Sequence, residues 1–206
     1  MAGRFFSLEG IDGSGKSTQA RRLAQALRDR GHVVTLTREP GGSDGAEQIR
    51  RLVLEGDPDR WSAQTEALLF TAARRDHLEK TIQPALDRGE VVITDRFADS
   101  TRMYQGLRSG DLRALVDRLH DLMIGVEPDL TLLIDIDPAL GLSRAVARAG
   151  AEQRFEDMGL AVQQTMRAGF LALAKDQPRF AVIDGAGAQG AVAAAVLDVA
   201  LRHLAR

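Results

Sequence analysis

Five short apolar runs punctuate the chain: "FFSLE" (5–9), "VVTLT" (33–37), "VVITD" (91–95), "TLLIDI" (131–136) and "FAVID" (180–184). They are near-continuous rather than alternating, as expected of strands buried on both faces of a parallel sheet. Helical spacing fills the stretches between them. In "KSTQARRLAQALRDRG", Ala20, Leu23, Ala24 and Leu27 share one stripe, and Gly31 follows as a stop signal. "SAQTEALLFTAARRDHLEKTIQPALDRG" opens at a capping residue, Ser62, and ends at Gly89, with Pro84 placed to kink or break it. Strand–helix alternation of this kind specifies an α/β fold, an open five-stranded parallel sheet with helices on both faces. Ligands of such sheets sit at the carboxyl ends of the strands.

At 206 residues and 44% hydrophobic content, one large core is expected, so residues 1–206 read as a single domain. A net charge of −2 and a pI near 6.1 argue against a general binder of nucleic acid or of a membrane surface. An anionic ligand then needs a local basic site. The absence of cysteine removes disulfides, thiolate metal sites and thiol nucleophiles. His32, His77, His120 and His203 are scattered, without metal-ligand spacing, and read as surface or packing residues. "MAGRFFSLEG" lacks the apolar core of a signal sequence, and no apolar run approaches the ~20 residues of a membrane span. A soluble cytoplasmic protein is expected.

"GIDGSGKS", Gly10 to Ser17, satisfies G-x-x-x-x-G-K-[ST] between an expected strand and an expected helix. Its glycines let the backbone curl so that N–H groups point at phosphate oxygens, aided by the helix N-terminus. Lys16 can reach the terminal phosphates, and the Ser17 hydroxyl can ligate Mg²⁺. Asp12 is the anomaly, because a carboxylate about 6 Å from a phosphate charge repels it by roughly 3 kcal/mol at an effective dielectric near 20. Something must justify it, unless it faces solvent and bonds its own loop. A second glycine signal, "GAGAQG" (185–190), lacks the following strand and acidic residue of a dinucleotide site and reads as a turn, one that can touch a nucleotide base.

The other strand ends supply charge. "TREPGG" places Arg38 and Glu39 at the ligand edge, and "TDRFADSTRMYQG" places Asp95 and Arg96 there. Asp95 is the expected second support for Mg²⁺, with Asp135 and Asp137 as rivals. Two strand-end arginines suit an anion beyond a nucleotide triphosphate. Phe70 and Arg74 share a helix face, suited either to a base and its edge or, for Phe70, to the core. Arg144 and Arg148, with Arg154 beyond them, form either a solvated face or a basic lid around 144–157; the loop has no arginine of its own, so transition-state charge must be met from elsewhere.

In this order and at this spacing, the phosphate loop with its acidic residue, "TREPGG", "LLFTAARRDHL", "ITDRFADSTRMYQG" and "PDLTLLIDIDP" resemble the thymidylate kinase family, of the bacterial type with a basic lid. The resemblance implies a P-loop nucleoside monophosphate kinase fold and phosphoryl transfer from ATP to dTMP, giving ADP and dTDP for dTTP synthesis. It implies ATP binding by Gly10, Ile11, Asp12, Gly13, Ser14, Gly15, Lys16, Ser17 and Thr18, with Mg²⁺ at Ser17 and Asp95. For dTMP it implies Arg38 and Arg96 on the phosphate, Phe70 stacked on thymine, Arg74 on the base edge with Gln105 nearby, Thr101 beside the base, Tyr104 crowding the sugar 2′ position and Asp12 at the 3′-hydroxyl. Lys16, Arg38, Asp95, Arg96 and the lid arginines Arg144, Arg148 and Arg154 carry catalysis on this reading, and the turn after Asp184 lies near adenine. A homodimer is implied, with helices around 62–83 and 111–124 as the candidate interface. Phe97 stands where tyrosine or histidine is usual, and Arg102 and Met103 stand where small residues are common. The alternatives are another nucleoside monophosphate kinase, or a nucleotide-hydrolysing switch.

Overall fold

The computed structural model describes residues 3–57, 60–108, 110–146 and 159–205. Among them the strands are β1 (Arg4–Glu9), β2 (Val34–Arg38), β3 (Val91–Asp95), β4 (Leu130–Asp135) and β5 (Phe180–Asp184). The helices are α1 (Lys16–Arg28), α2 (Asp44–Leu54), α3 (Ala63–His77), α4 (Gln83–Asp87), α5 (Ala98–Tyr104), α6 (Gly110–Met123), α7 (Pro138–Val146), α8 (Gly159–Asp176) and α9 (Gln189–Leu204). Each apolar run of the sequence is a strand, and all five pair in parallel in the order β2-β3-β1-β4-β5. The chain therefore winds to one side of β1 through β2 and β3, then to the other through β4 and β5. The carboxyl end of β1 lies at that switch, where a crevice opens.

Residues of β1 alternate between two packed faces. Phe6 and Leu8 join Ile93, Leu132 and Ile134 against Ala20, Leu23, Ala24 and Leu27 of α1 and Val192 and Val196 of α9. Phe5, on the opposite face, packs with Val92, Phe97 and Ile82. Ser7 follows it on that face and exchanges a 2.9 Å hydrogen bond with Thr131. Glu9 is third in this alternation, which carries a carboxyl group into the interior under α5. Farther along, Ile11, Met103 and Leu133 pack against Met166 and Phe170 of α8.

The long helical stretch from Ser62 divides as its proline requires. Ser62 Oγ accepts from the Thr65 N–H (3.2 Å), capping α3. Leu78–Ile82 form a single π-helical turn before α4, in which Pro84 is the second residue. Proline has no N–H to return to residue 80, and the wider π turn absorbs the missing bond without ending the rod. Three helices, α2, α5 and α8, have no counterpart in the sequence-based expectations. Every residue of α5 is buried, including Asp99, Ser100, Thr101 and Arg102. Arg102 donates to Asp99 (2.7 Å), Asp117 (3.0 Å) and Glu127 (2.6 Å), and Arg179 donates to Asp99 from the other side. This explains the unusual Arg102, whose charge is met three times over within the fold. Met103 packs against Gly169 of α8, where an added Cβ would lie 2.7 Å from its sulfur. Phe97 is fully buried, edge-on to Phe5 with ring centroids 4.9 Å apart. None of the helices described is long and apolar enough to cross a membrane.

Candidate active site

A cleft of about 600 Å³ opens at the carboxyl edge of the sheet, between the β1–α1 loop, the β2–α2 loop, α3 and α5. Register places its charged floor: Arg38 pairs with Asp95, and Asp95 with Leu8, so β2 and β3 finish level and β1 one residue beyond them. The loop is tightly seated. At Gly13 (φ 75°) a Cβ would sit 1.9 Å from the Gly141 carbonyl at the start of α7, so the curl permits only glycine there. Lys16 is buried, its Nζ donating to the Ile11 carbonyl (2.7 Å) and the Ser14 hydroxyl (3.4 Å). Burial first, then the neighbouring Arg96, pushes the Lys16 ammonium down to about 8.

Asp12 neither faces solvent nor bonds within its loop. Its Oδ1 accepts from Arg96 Nη2, while Oδ2 accepts from the Tyr104 hydroxyl (2.7 Å) and from Gln163 of α8 (3.2 Å). Burial pushes its carboxyl up, but Arg96, Lys16 and these hydrogen bonds outweigh burial and hold it below the usual carboxylate range. The Coulomb problem is thus met locally, because a cation stands on the carboxylate before any phosphate arrives.

Arg96 is the hub. It is the one non-glycine residue with positive φ (72°) among the described residues, at the sharp turn from β3 into α5. Besides Asp12, its fork donates to Ser100 Oγ (2.9 Å) and the Tyr104 hydroxyl (3.0 Å). Glu9 secures the turn from beneath, its carboxyl accepting from the Phe97 N–H (2.8 Å), the Ser100 N–H (3.3 Å) and Ser100 Oγ (2.6 Å). Burial, then the nearby Asp99, pushes Glu9 up to about 7. Sequence reasoning missed Glu9, although its place one step beyond Ser7 on the alternating face was the available signal.

Of the sequence-derived acceptor residues, Asp12, Arg38, Phe70, Arg74, Arg96, Thr101, Tyr104 and Gln105 all line the cleft, as do Lys16, Ser17 and Asp95. Phe70 is half-buried and stands outside the packed clusters of the core. Arg74 donates Nε to Glu39 (2.7 Å) and Nη2 to Thr101 (2.9 Å), and Gln105 donates to the buried Glu66 (3.2 Å). Arg38 is exposed and paired with Glu47 at 3.2 Å. Arg50 of α2, which sequence reasoning did not select, also lines the cleft and donates to the Pro40 carbonyl (2.6 Å).

Arg144 stands apart from this group. Its guanidinium reaches the Gly185 (3.1 Å) and Ala186 (3.4 Å) carbonyls, at the turn after β5 that the sequence reading assigns to the donor base. Arg148 and Arg154 lie outside the described residues. The rivals to Asp95 are engaged elsewhere. Asp135 forms a two-pronged pair with Arg167 (2.7 and 2.8 Å), and Asp137 caps α7 through the Ala139 and Leu140 N–H groups. Asp95 Oδ1, by contrast, is buried without a hydrogen-bond partner among the described residues.

A phosphate loop at the switch point of a 2-3-1-4-5 parallel sheet, facing arginines on the neighbouring strand ends, defines a P-loop kinase of the nucleoside monophosphate kinase fold. Comparison with known proteins narrows the class. The family model for thymidylate kinase matches residues 8–196. A thymidylate kinase of Ruegeria pomeroyi is 70% identical over 205 residues, spanning 99% of this chain and 97% of the relative, and one of Caulobacter vibrioides is 52% identical over 204, spanning 98% of each. The crystal structure of thymidylate kinase from Ehrlichia chaffeensis superposes with a TM-score of 0.79 at 34% identity, covering 97% of this chain and all of that one. The chain belongs to the thymidylate kinase family.

Proposed function

We propose that the protein transfers the γ-phosphoryl group of ATP to the phosphate of dTMP, giving ADP and dTDP. The observation that carries this reading is a single cleft lined at once by the phosphate loop and by all eight acceptor residues. The loop amides and Lys16 hold the donor polyphosphate, and Arg144 lies with the donor turn at Gly185 and Ala186. Arg38 and Arg96 grip the acceptor phosphate, Phe70 stacks on its base, and Arg74, Thr101 and Gln105 meet the base edge. Asp12 holds Arg96 and Tyr104 in place and receives the sugar hydroxyl. The attacking oxygen of dTMP is already ionised, so no general base is required, and catalysis rests on alignment and charge stabilisation. Arg148 and Arg154 are proposed to meet charge on the moving phosphoryl.

Ser17 and Asp95 fit a hydrated divalent cation. Among the described residues Asp95 has a buried oxygen without a hydrogen-bond partner, and no group of three or more His, Cys, Asp or Glu side chains gathers, so phosphate oxygens and water would complete the shell. Mg²⁺ bound there would neutralise phosphate charge. A cytoplasmic location is proposed, in keeping with two soluble anionic substrates.

ADP formation from Mg-ATP with dTMP, dUMP, dCMP, UMP, AMP or no acceptor tests the reading. Strong preference for dTMP is expected. Preference for another acceptor would keep the kinase and overturn the base-pocket roles, and equal turnover without acceptor would favour a hydrolytic switch.

A homodimer is proposed through α3 and α6, which together expose Leu68, Leu122 and Met123 (55%, 76% and 48% accessible). Light scattering at micromolar concentration should give twice the chain mass. A monomeric mass refutes it.

A further inference from the structure

A buried relay runs from the cleft wall to the loop that follows Arg38. Arg74 gives Nε to Glu39 Oε2 (2.7 Å), and His77 Nδ1 lies 3.0 Å from Glu39 Oε1. The far side of the ring, Nε2, lies 2.7 Å from Thr37 Oγ1. A carboxylate only accepts, so Nδ1 carries the hydrogen and donates it to Glu39. All three side chains are buried, His77 completely. The loop lies directly over the ring: a Cβ at Gly42 (φ 87°) would meet both His77 Nε2 and Thr37 Oγ1 at 2.4 Å. Thr81, one further turn along, donates to the Gly42 carbonyl (2.6 Å).

The consequence falls on the Arg74 fork. Glu39 takes Nε, Thr101 takes Nη2, and the Phe97 ring lies 5.1 Å from the guanidinium carbon. Nη1 has no hydrogen-bond partner among the described residues, which leaves it for a ligand in the cleft. A guanidinium only donates, so it reads an oxygen at a base edge and disfavours an amino group there. That discrimination holds only while the fork cannot rotate. Glu39 can turn about its own torsions unless its second oxygen is also fixed, and His77 is the group that fixes it.

We propose that His77, acting through Glu39, is a positioning residue for acceptor-base selection: it locks the Arg74 fork so that Nη1 selects a pyrimidine carrying a 4-oxo group over one carrying a 4-amino group. This rests on the reading of Arg74 as the base-edge residue. His77 does not line the cleft; Glu39 does, but both of its carboxyl oxygens are taken up by Arg74 and His77.

The test compares dTMP with dCMP as acceptors in the parent, His77→Ala, His77→Asn and Arg74→Met, with thermal melts of each. His77→Ala is expected to raise KM for dTMP about tenfold and leave kcat within about threefold, so that the dTMP-over-dCMP ratio of kcat/KM falls about tenfold. Asparagine places an amide N–H where Nδ1 stands, so His77→Asn should recover the ratio to within about threefold. An unchanged ratio in His77→Ala overturns the inference. So does a loss that His77→Asn fails to recover although its melting temperature matches the parent, or one in which kcat falls along with stability, as a merely structural histidine would give. Arg74→Met separates the two levels. If it keeps the dTMP preference, the base-edge role itself fails and the inference with it; if it abolishes the preference while His77→Ala keeps it, only the inference fails.

Discussion

Replacing Arg96 by alanine is expected to lower kcat/KM for dTMP about a thousandfold or more, the larger share in KM. Three losses coincide. The acceptor phosphate loses a charge-assisted donor. Asp12 is left as a carboxylate without its cation in the very loop that must receive phosphates, turning a neutralised pair into a repulsive charge. Breaking a partly buried pair from one side costs about 3–5 kcal/mol, and each 1.4 kcal/mol is tenfold. Tyr104, donating to Asp12 and accepting from Arg96, also loses the frame that sets its position. Arg96→Lys should recover only part of the loss, because an ammonium cannot span Asp12, Ser100 and Tyr104 as a fork does. Steady-state kinetics with dTMP varied would decide it. A kcat/KM within tenfold of the parent for Arg96→Ala would mean the acceptor phosphate is gripped elsewhere.

Lys16→Met should lower kcat by about a thousandfold, through loss of the one lysine placed in the phosphate loop. Its ionisation supplies a second, independent reading. With the ammonium held down to about 8 by burial, the parent loses the charge as pH rises from 7 to 9. ATP needs the charged form, so binding draws a proton in, and affinity should fall about tenfold across that interval, over which the terminal phosphate, with its last pKa at about 6, only becomes more anionic. The methionine variant has no proton to gain there and should bind weakly but with a flat profile. Calorimetric titration with ATP at several pH values would show both curves. A parallel decline in parent and variant would move the titrating group to another residue.

The strands were legible because burial on both sheet faces writes a local signature, a short unbroken apolar run, and that signature does not depend on which strands become neighbours. The order β2-β3-β1-β4-β5 does depend on it and has no local trace. In α1 the buried stripe of Ala20, Leu23, Ala24 and Leu27 faces one side only, which periodicity detects. In α5 burial is all round, and its polar residues are satisfied by partners far along the chain: Asp99 by Arg179, 80 residues away, and Ser100 by Glu9, 91 residues away. No window of sequence contains both members of such a pair. Motif spacing supplied most of the residues that face the cleft and put Glu39 at its edge without a role, whereas Glu9 and His77, which hold those residues from behind, were legible only as a strand end and a scattered histidine.

The order of the strands also sorts the two substrates by chain position. Apart from Asp12, every residue assigned to the acceptor falls between Arg38 and Gln105, at the end of β2, on α3, on α5 and at the positions that flank α5, while the turn assigned to the donor base follows β5. The phosphate loop of β1 is the seam between these halves. Natural drift or laboratory selection can therefore rework the acceptor pocket within one contiguous block of the gene, and the apparatus that handles ATP need not change with it.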